Sequence, residues 1–522
     1  MKKIIIGSRG SDLALWQANF VQAELKKISI ESEIKIIKTQ GDKIQDLSFD
    51  KLEGKGFFTK EIEDALLSKE IDLAVHSHKD LPTTSPQGLI IAAVSEREDP
   101  SELLLIRKEA VDTHQKFNLK KNAVLGSSSA RRKAQMLAFR KDVVIKELRG
   151  NVPTRIQKLR DKNYDAILLA AAGVERLQLD LSEFETVKLK PNEFIPAPAQ
   201  GVLALQIREQ DDALHALLQN LNSSRVQQQI AVERKVLNLL DGGCQLPLGV
   251  YCEQDTDEDD VPFFTVYTSH ASAWNASPKS LLTRAKTTDG LALKIVDKLK
   301  SIVPASVFIT RDARNNDYFE QVLTGNGYTV FSKALIEINS LPLANVPSCD
   351  WIFFSSKNAV KHFFQQAPQI ANCKIGCVGK STADELRKFG KRADFIGYST
   401  DTKLTGKQFA STVGTKTVLF PQAKQSMRSI QKAFANPAQT KDIAVYETLK
   451  KNEGGLPDFS IAVFTSPSNV EAFFEKHQLT AQHKVIAMGE STTATLKRFG
   501  VKKVQLTTSF DDLGLVRAVF EV

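Results

Sequence analysis

A thiol, a lysine–aspartate pair and a set of arginines are the groups in this chain best placed for chemistry. Cys244 lies in "LLDGGCQLPLGVY" (residues 239–251), after two glycines that remove side-chain bulk and before a proline that stops a helix. That setting suits a small buried hydrophobe at a turn. It equally suits a thiol held on an irregular loop within reach of a bulky electrophile, where the thiolate is the nucleophile. Lys79 and Asp80 follow a strand-like run in "DLAVHSHKDLP". A carboxylate among cations stays ionised, so Asp80 suits stabilising a developing cation or moving a proton. Arg9, Arg131, Arg132, Arg149, Arg155 and Arg176 each stand where an apolar run ends. The guanidinium fork matches carboxylate or phosphate, and six of them at strand ends point to one shared anionic ligand. Ser128 and Ser129 in "GSSSARR" are placed to cap a helix whose first N–H groups suit an anion.

These residues need a scaffold that brings strand ends together. Over the first 220 residues, short apolar runs such as "KIIIG", "DLAVHS", "NAVLGS" and "YDAILLAAAG" alternate with helical patterns such as "LALWQANFVQAELKKI" and "TKEIEDALLSKE". That alternation predicts α/β architecture with largely parallel sheets, where ligands sit beyond the carboxyl ends of strands. From about 223 to 300 the pattern changes. A helix around 225–240 leads into the Cys244 loop, "FFTVYTS" reads as a strand, and "DGLALKIVDKLKS" as a closing helix. The acidic run 253–260 reads as a solvated turn. The stretch "SIVPAS" (301–306) reads as a short linker, after which "SVFITRD" opens a further α/β unit.

That second part contains a repeat. "WIFFSSKNAVKHFF" (351–364) aligns with "IAVFTSPSNVEAFF" (461–474), and "VGKSTADELRKFG" (378–390) with "MGESTTATLKRFG" (488–500), at a constant offset of 110. Two copies of one strand–loop–helix module predict two similar lobes with a cleft between them.

Bulk properties bound the rest. At 522 residues the chain has room for roughly three to five domains. It is 42% hydrophobic and 25% charged, an ordinary globular composition. No apolar run approaches the roughly 20 residues of a membrane span, and "MKKIIIGSRGSD" is too short in apolar length for a signal peptide. The expectation is a cytoplasmic protein without a membrane partner. Five cysteines give no disulfide framework. Cys373 and Cys377 lack a second ligand pair, and His76 and His78 lack a third ligand, so no metal is expected. The formal net charge of +9 permits acidic partners, but the lysines are dispersed and the phenylalanines sit in apolar runs such as "KHFFQQ", which read as core. Nucleic acid is not expected.

Taken in order, "SRGSDLALWQA", "GKGFFTKEIE", "DLAVHSHKDLP", "GSSSARR", "LRGNVPTR", "AAGVERL", "PAPAQGVLAL" and "GGCQLPLG" resemble hydroxymethylbilane synthase, also called porphobilinogen deaminase, over about residues 3 to 300. The second half resembles uroporphyrinogen-III synthase through its initial "TR", its "FTSPSNV" element and its "GxxT" turn. The resemblance implies a bifunctional enzyme of tetrapyrrole synthesis, a transferase followed by a lyase. It implies a three-domain deaminase with two periplasmic-binding-protein-like α/β domains (1–98 plus 197–219; 99–196) and a small α+β domain (223–300) carrying the cofactor cysteine. A bilobal α/β synthase follows, with lobes 305–335 plus 447–522 and 336–446.

By the same resemblance, Cys244 carries a dipyrromethane cofactor through a thioether. Lys79, Ser128, Ser129, Arg131, Arg132 and Gln200 serve that cofactor. Arg9, Ser11, Lys55, Phe58, Arg149, Arg155 and Arg176 serve the carboxylates and rings of porphobilinogen and the growing chain. Asp80 matches the catalytic carboxylate, which stabilises the azafulvene cation formed as ammonia leaves. In the synthase half Ser355, Ser356, Ser466, Ser491 and Thr492 are candidate carboxylate holders, each equally readable as a helix cap or strand-end residue. Tyr446 is a candidate proton donor to hydroxymethylbilane. His78 replaces a usual apolar residue, Ala199 a usual glycine, Gln206 a usual glutamate and Asp12 a usual proline. A monomer is expected. The rival reading is a two-lobed anion-binding or sensor protein without catalysis.

Overall fold

A computed structural model describes residues 3–39, 59–242, 245–256, 261–312, 317–343, 345–370, 372–398, 402–451 and 454–522. The chain divides into two compact units, Met1–Val303 and Pro304–Val522.

In the first unit, the branched apolar residues of Ile4–Ser8 build a strand flanked in parallel by Ser32–Ile36 and Leu73–Ser77. Ile4, Ile6, Leu73 and Val75 bury against Val21 and Leu25 of the helix Asp12–Lys27. The sheet is completed by Leu203–Arg208 and Leu89–Val94, with Leu203–Arg208 antiparallel to both neighbours. A second five-stranded sheet has the same plan. Val144–Lys146, Val124–Gly126 and Ala166–Ala170 run parallel, then Glu102–Arg107 lies antiparallel between Ala166–Ala170 and Phe184–Leu189. In each sheet the antiparallel fourth strand is the one reached through a crossing segment, at 95–101 or 197–202. The crossings touch: Glu98 N–H donates to Gly201 O at 3.1 Å. Gly201 has φ +89°, and a Cβ there would lie 2.3 Å from Glu98 O, so only glycine fits.

A three-stranded antiparallel sheet, Leu248–Thr256, Pro262–His270 and Lys279–Ala285, follows, with the helices Ser224–Leu239 and Leu291–Ser301. Residues 253–256 of the acidic run are strand rather than turn, because they continue the antiparallel register to Thr256↔Pro262; 257–260 lie outside the described residues.

The second unit holds two sheets. One is parallel throughout, in the order Thr329–Ser332, Ser306–Ile309, Ile461–Phe464, Lys484–Ala487 and Gln505–Leu506. The other runs Ile336–Ser340, Thr440–Lys450, Val418–Ala423, Trp351–Phe354, Lys374–Cys377 and Phe395–Ile396. Its first strand is antiparallel, paired from Ile336↔Lys450 to Ser340↔Tyr446. That register carries the second sheet through Lys450, past the expected change of lobe at 447. Tyr446 and Lys450 belong to one continuous ladder. Helices Lys357–Phe364 and Pro467–Phe474 start alike, with Ser356 accepting from Ala359 N at 3.1 Å and Ser466 from Asn469 N at 3.3 Å. Phe363, in the "KHFFQQ" run, is fully buried against Phe354. Among the described residues no helix is long and apolar enough to cross a membrane.

Because each unit encloses its own sheets and core, residues 1–303 and 304–522 expressed separately are expected to be soluble and to unfold each in one cooperative thermal transition. Calorimetry on the two fragments checks this. A fragment that folds only in the other's presence would show that the core crosses the junction.

Candidate active site

The strand Leu73–Ser77 ends in a single 3-10 turn, His78–Asp80, which presents Lys79 half-buried and Asp80 exposed. Beneath them the side chains are buried. His76 bonds Gln206 (3.1 Å), and Gln206 donates to Glu63 Oε1 (3.2 Å). Burial pushes the His76 imidazole down to about 4 and the His78 imidazole to about 3, so both are neutral rings. Among the described residues no group of three or more His, Cys, Asp or Glu side chains could hold a metal.

Lys79 faces the second domain through Gln200. Its Nζ donates to Gln200 Oε1 at 3.2 Å, while Gln200 Nε2 donates to Pro100 O (2.8 Å) and to Glu102 Oε1 (3.2 Å). Glu102, with no exposure, grips both arginines of "SARR": Arg131 Nη2 at 2.7 Å and Arg132 Nη2 at 2.6 Å. Burial would raise the Glu102 carboxyl, but Arg132 and Arg131 overcome it and bring it to about 2. Their other guanidinium nitrogens reach Ile195 O and Leu168 O, each at 3.0 Å. Arg132 Nε is buried with no hydrogen-bond partner among the described residues. Ser129 caps the helix Ala130–Phe139 (3.5 Å from Arg132 N), and Ser128 ties Leu148 through its O (2.7 Å) and N (3.1 Å).

Arg155 stands near Arg132, Arg149 and Asp80. Burial first and then Arg132 push its guanidinium down to about 10, with Asp80 opposing. Lys79 is pushed down to about 8 by burial, with Asp80 opposing and Arg132 reinforcing. Lys79, Arg131, Arg132 and Arg155 thus gather about Asp80 and Glu102, while Arg149 acts on Arg155 and on a third carboxylate, Glu147, which pairs with Lys133. Arg176 donates to Gly201 O (2.8 Å) and lies 5.5 Å from the Trp16 ring, with its Nε buried and unpartnered among the described residues. Arg9 closes the first strand, half-buried, and acts on His76. Ser11 caps the helix Asp12–Lys27 at 3.4 Å from Ala14 N. Lys55, Phe58 and Cys244 lie outside the described residues.

The unpartnered Nε atoms and the cationic excess fit a dipyrromethane, whose acetate and propionate side chains are anions. The groups that organise this cluster were missed in the sequence. Glu102 opens the apolar strand of "SELLLIR", and Glu233 falls on the buried stripe Val226–Ile230–Glu233–Val236 of its helix. A charge in an apolar stripe is the signal that marks both.

In the second unit, Tyr446 is 8% exposed, its hydroxyl lies 3.3 Å from Ser356 Oγ, and its ring lies 5.5 Å from that of His362. Burial raises its phenol. Ser355 and Ser491 are exposed. Ser466 also accepts from Asn469 Nδ2 (3.0 Å), and Thr492 spends its hydroxyl on Met488 O (3.2 Å). Arg311, of the initial "TR", is held by Asp317 (2.8 Å) and Asp512 (2.6 Å).

Glu102→Gln is expected to lower stability by about 3–5 kcal/mol, because two buried guanidiniums lose their counter-charge; urea unfolding checks it. The Glu102 carboxyl sits at about 2 against an ordinary 4.5, so its contribution is complete above pH 4.5 and lost as pH falls through 2. The variant should lose that part of the acid dependence. An acid profile identical to that of the parent would show that Glu102 does not carry it.

Comparison with known proteins agrees with both units. The family described as "Porphobilinogen deaminase, dipyromethane cofactor binding domain" matches residues 4–216, and "Uroporphyrinogen-III synthase HemD" matches 317–517. A porphobilinogen deaminase of Oceanobacillus iheyensis is 46% identical over 260 residues, covering 49% of this chain and 82% of that protein. One of Bacillus subtilis is 46% identical over 256 residues, covering 48% and 79%. A crystal structure of uroporphyrinogen-III synthetase from Helicobacter pylori aligns over 42% of this chain and 99% of its own, with 19% identity and a TM-score of 0.33. The chain belongs to the porphobilinogen deaminase family over its first unit and to the uroporphyrinogen-III synthase family over its second, a fusion of two enzymes of heme biosynthesis.

Proposed function

We propose that the first unit assembles hydroxymethylbilane from four porphobilinogens at the cleft around Asp80, and that the second closes it to uroporphyrinogen III. The observation that carries the first half is the gathering of cations at the Lys79–Asp80 turn: Lys79 is bonded through Gln200 to Glu102, Glu102 holds Arg131 and Arg132, and Arg155 stands near Asp80. Such a cluster suits a ligand bearing many carboxylates. In this reading Arg9, Arg149, Arg155 and Arg176, with Ser11, Lys55 and Phe58, receive the side chains and rings of incoming and growing pyrroles. Lys79, Gln200, Arg131, Arg132, Ser128 and Ser129 hold the primer. A dipyrromethane bound at Cys244 supplies the nucleophilic pyrrole carbon from which the chain is extended. Asp80, exposed beside Lys79 and Arg155, stabilises the charge that develops as ammonia leaves.

Arg131 and Arg132 have a double task in this scheme. Glu102 fixes their forks, and Arg132 Nε is left buried without a partner among the described residues, a donor that a ligand anion would satisfy. In the second unit the Tyr446–Ser356 pair is the proton donor site for loss of the terminal hydroxyl, since a buried phenol keeps its proton at neutral pH. Ser355 and Ser466, after their strands, and Ser491, in the first turn of the helix Glu490–Arg498, receive carboxylates; Thr492, bonded back to Met488 O, acts by shaping the turn before that helix. The protein works as a cytoplasmic monomer. The division 1–98 plus 197–219, 99–196 and 223–300 follows the three sheets of the first unit.

A coupled assay of the purified chain on porphobilinogen, with isomers I and III separated, tests the whole reading. Isomer III is expected. Product that is only isomer I would remove the synthase assignment, and no consumption of porphobilinogen would remove both. Cys244→Ser is expected to fold yet lack the mass of two pyrrole units and most deaminase activity; parental mass and rate would refute the attachment. Asp80→Asn should keep that mass and lose roughly 10²–10⁴-fold in turnover, whereas a loss below about fivefold would move the chemistry to another group.

A further inference from the structure

The turn that carries Lys79 and Asp80 is held from an unexpected side. Arg234, on the helix Ser224–Leu239, donates from Nη1 to His78 O at 3.0 Å and from Nη2 to Leu81 O at 3.3 Å and to Pro82 O. These carbonyls bracket the single turn His78–Asp80, where a chain end leaves acceptors that water or a cation must satisfy. The turn has little packing beneath it. A cavity of about 80 Å³, lined by Glu63, His78, Leu81, Gln206 and Arg234 among others, lies there, and His78 Nδ1 is buried with no partner among the described residues. Asp80 is exposed, so its position depends on the backbone that bears it.

The neighbouring residue binds the same helix to the crossings. Glu233, fully buried, accepts from Ala199 N at 2.6 Å and Cys252 N at 2.8 Å and pairs with Arg97 at 2.6 Å. The helix then ends at Leu239, and the chain enters the loop of Cys244. We propose that Arg234 is a positioning residue for the deaminase reaction: it fixes the Lys79–Asp80 turn to the helix Ser224–Leu239, so that Asp80 keeps its place over the cluster of Lys79, Gln200 and Glu102. This rests on Asp80 being the carboxylate that stabilises the developing charge.

Substrate carboxylates are received by other arginines, so loosening the clamp affects turnover rather than binding. Displacements on the order of 1 Å at a reacting group cost up to about 10²-fold. In the full chain, Arg234→Met keeps the apolar stem and removes the fork. It is expected to lower kcat by roughly 10–100-fold, with KM for porphobilinogen unchanged within about twofold and the two-pyrrole mass retained. Arg234→Lys, with one compact ammonium for three carbonyls, should recover part of the rate, and guanidinium ion at low millimolar concentration should partly rescue Arg234→Met. Unchanged kcat in the loaded Met variant, or in the Lys variant if the Met variant does not fold, would overturn the proposal. So would a loss traced wholly to missing cofactor. Adding Asp80→Asn separates the two readings. If Arg234 acts through Asp80, the double variant is little slower than Asp80→Asn alone. If the losses multiply, Arg234 does not act through Asp80. If Asp80→Asn itself costs under about fivefold, the reading of Asp80 is what fails.

Discussion

Glu233 is the carboxylate on which the first unit turns. It has no solvent exposure, and both of its oxygens are doubly used. Oε1 takes Arg97 Nη1 (2.6 Å) and Cys252 N (2.8 Å), and Oε2 takes Arg97 Nη2 (3.1 Å) and Ala199 N (2.6 Å). Burying an ion pair is costly, and it persists only where further hydrogen bonds satisfy every lone pair. Here that saturation requires three stretches of chain at once: the first crossing, the second crossing and the first strand of the small sheet. Arg97 closes the set by donating from Nε to Gln200 O at 3.0 Å and lying 5.0 Å from the Tyr251 ring. Both crossings are therefore pinned to a third domain, rather than left as free hinges. Ala199 sits at this point with φ +61°, a left-handed backbone that costs a non-glycine residue about 1 kcal/mol. Its N–H bond to Glu233 and its burial among Val94, Val202, Val226 and Ile230 offset that strain.

Glu102 repeats the device one step closer to the chemistry. Where Glu233 binds segments of chain, Glu102 binds the side chains of Arg131 and Arg132, which the proposed function assigns to the cofactor. A carboxylate fully engaged by two guanidiniums orients them, and the amine of Lys79 reaches the same carboxylate through Gln200. Burial first, and then Arg132, lowers both Lys79 and Arg155, with Asp80 opposing in each case. A polyanionic ligand entering this cleft relieves a repulsion that the fold has already built in, and binding is favoured for that reason as much as for any single contact.

The synthase unit follows another logic. Its hydroxyl groups are largely committed: Ser356 and Ser466 cap helices, Thr492 bonds its own turn, and Arg311 is held between two aspartates. Among the described residues no charged cluster comparable to that of the first unit accompanies Tyr446. Ring closure of a chain that already cyclises in water asks for shape and protection more than for strong acid–base groups, which is consistent with a buried phenol beside one serine.

The sequence by itself determined the alternation of strands and helices and the turn bearing Lys79 and Asp80. These are local properties: a branched apolar run makes a strand and a Ser-initiated amphipathic run makes a helix wherever they are placed. Of the arginines expected at strand ends only Arg9 directly follows a strand, and Arg131, Arg132, Arg155 and Arg176 lie on helices. The sequence left the acidic run 253–256 as a turn and ended the second lobe before Lys450, because strand register is set by a partner far away in the chain. Only the tertiary structure decided that Arg131 and Arg132 share one buried glutamate, that Gln200 bridges Lys79 to it, and that Arg234 reaches the catalytic turn across more than 150 positions. Those bonds join residues with no sequence proximity, and what selects them is the need to satisfy buried charge. That need exists only once water has been excluded.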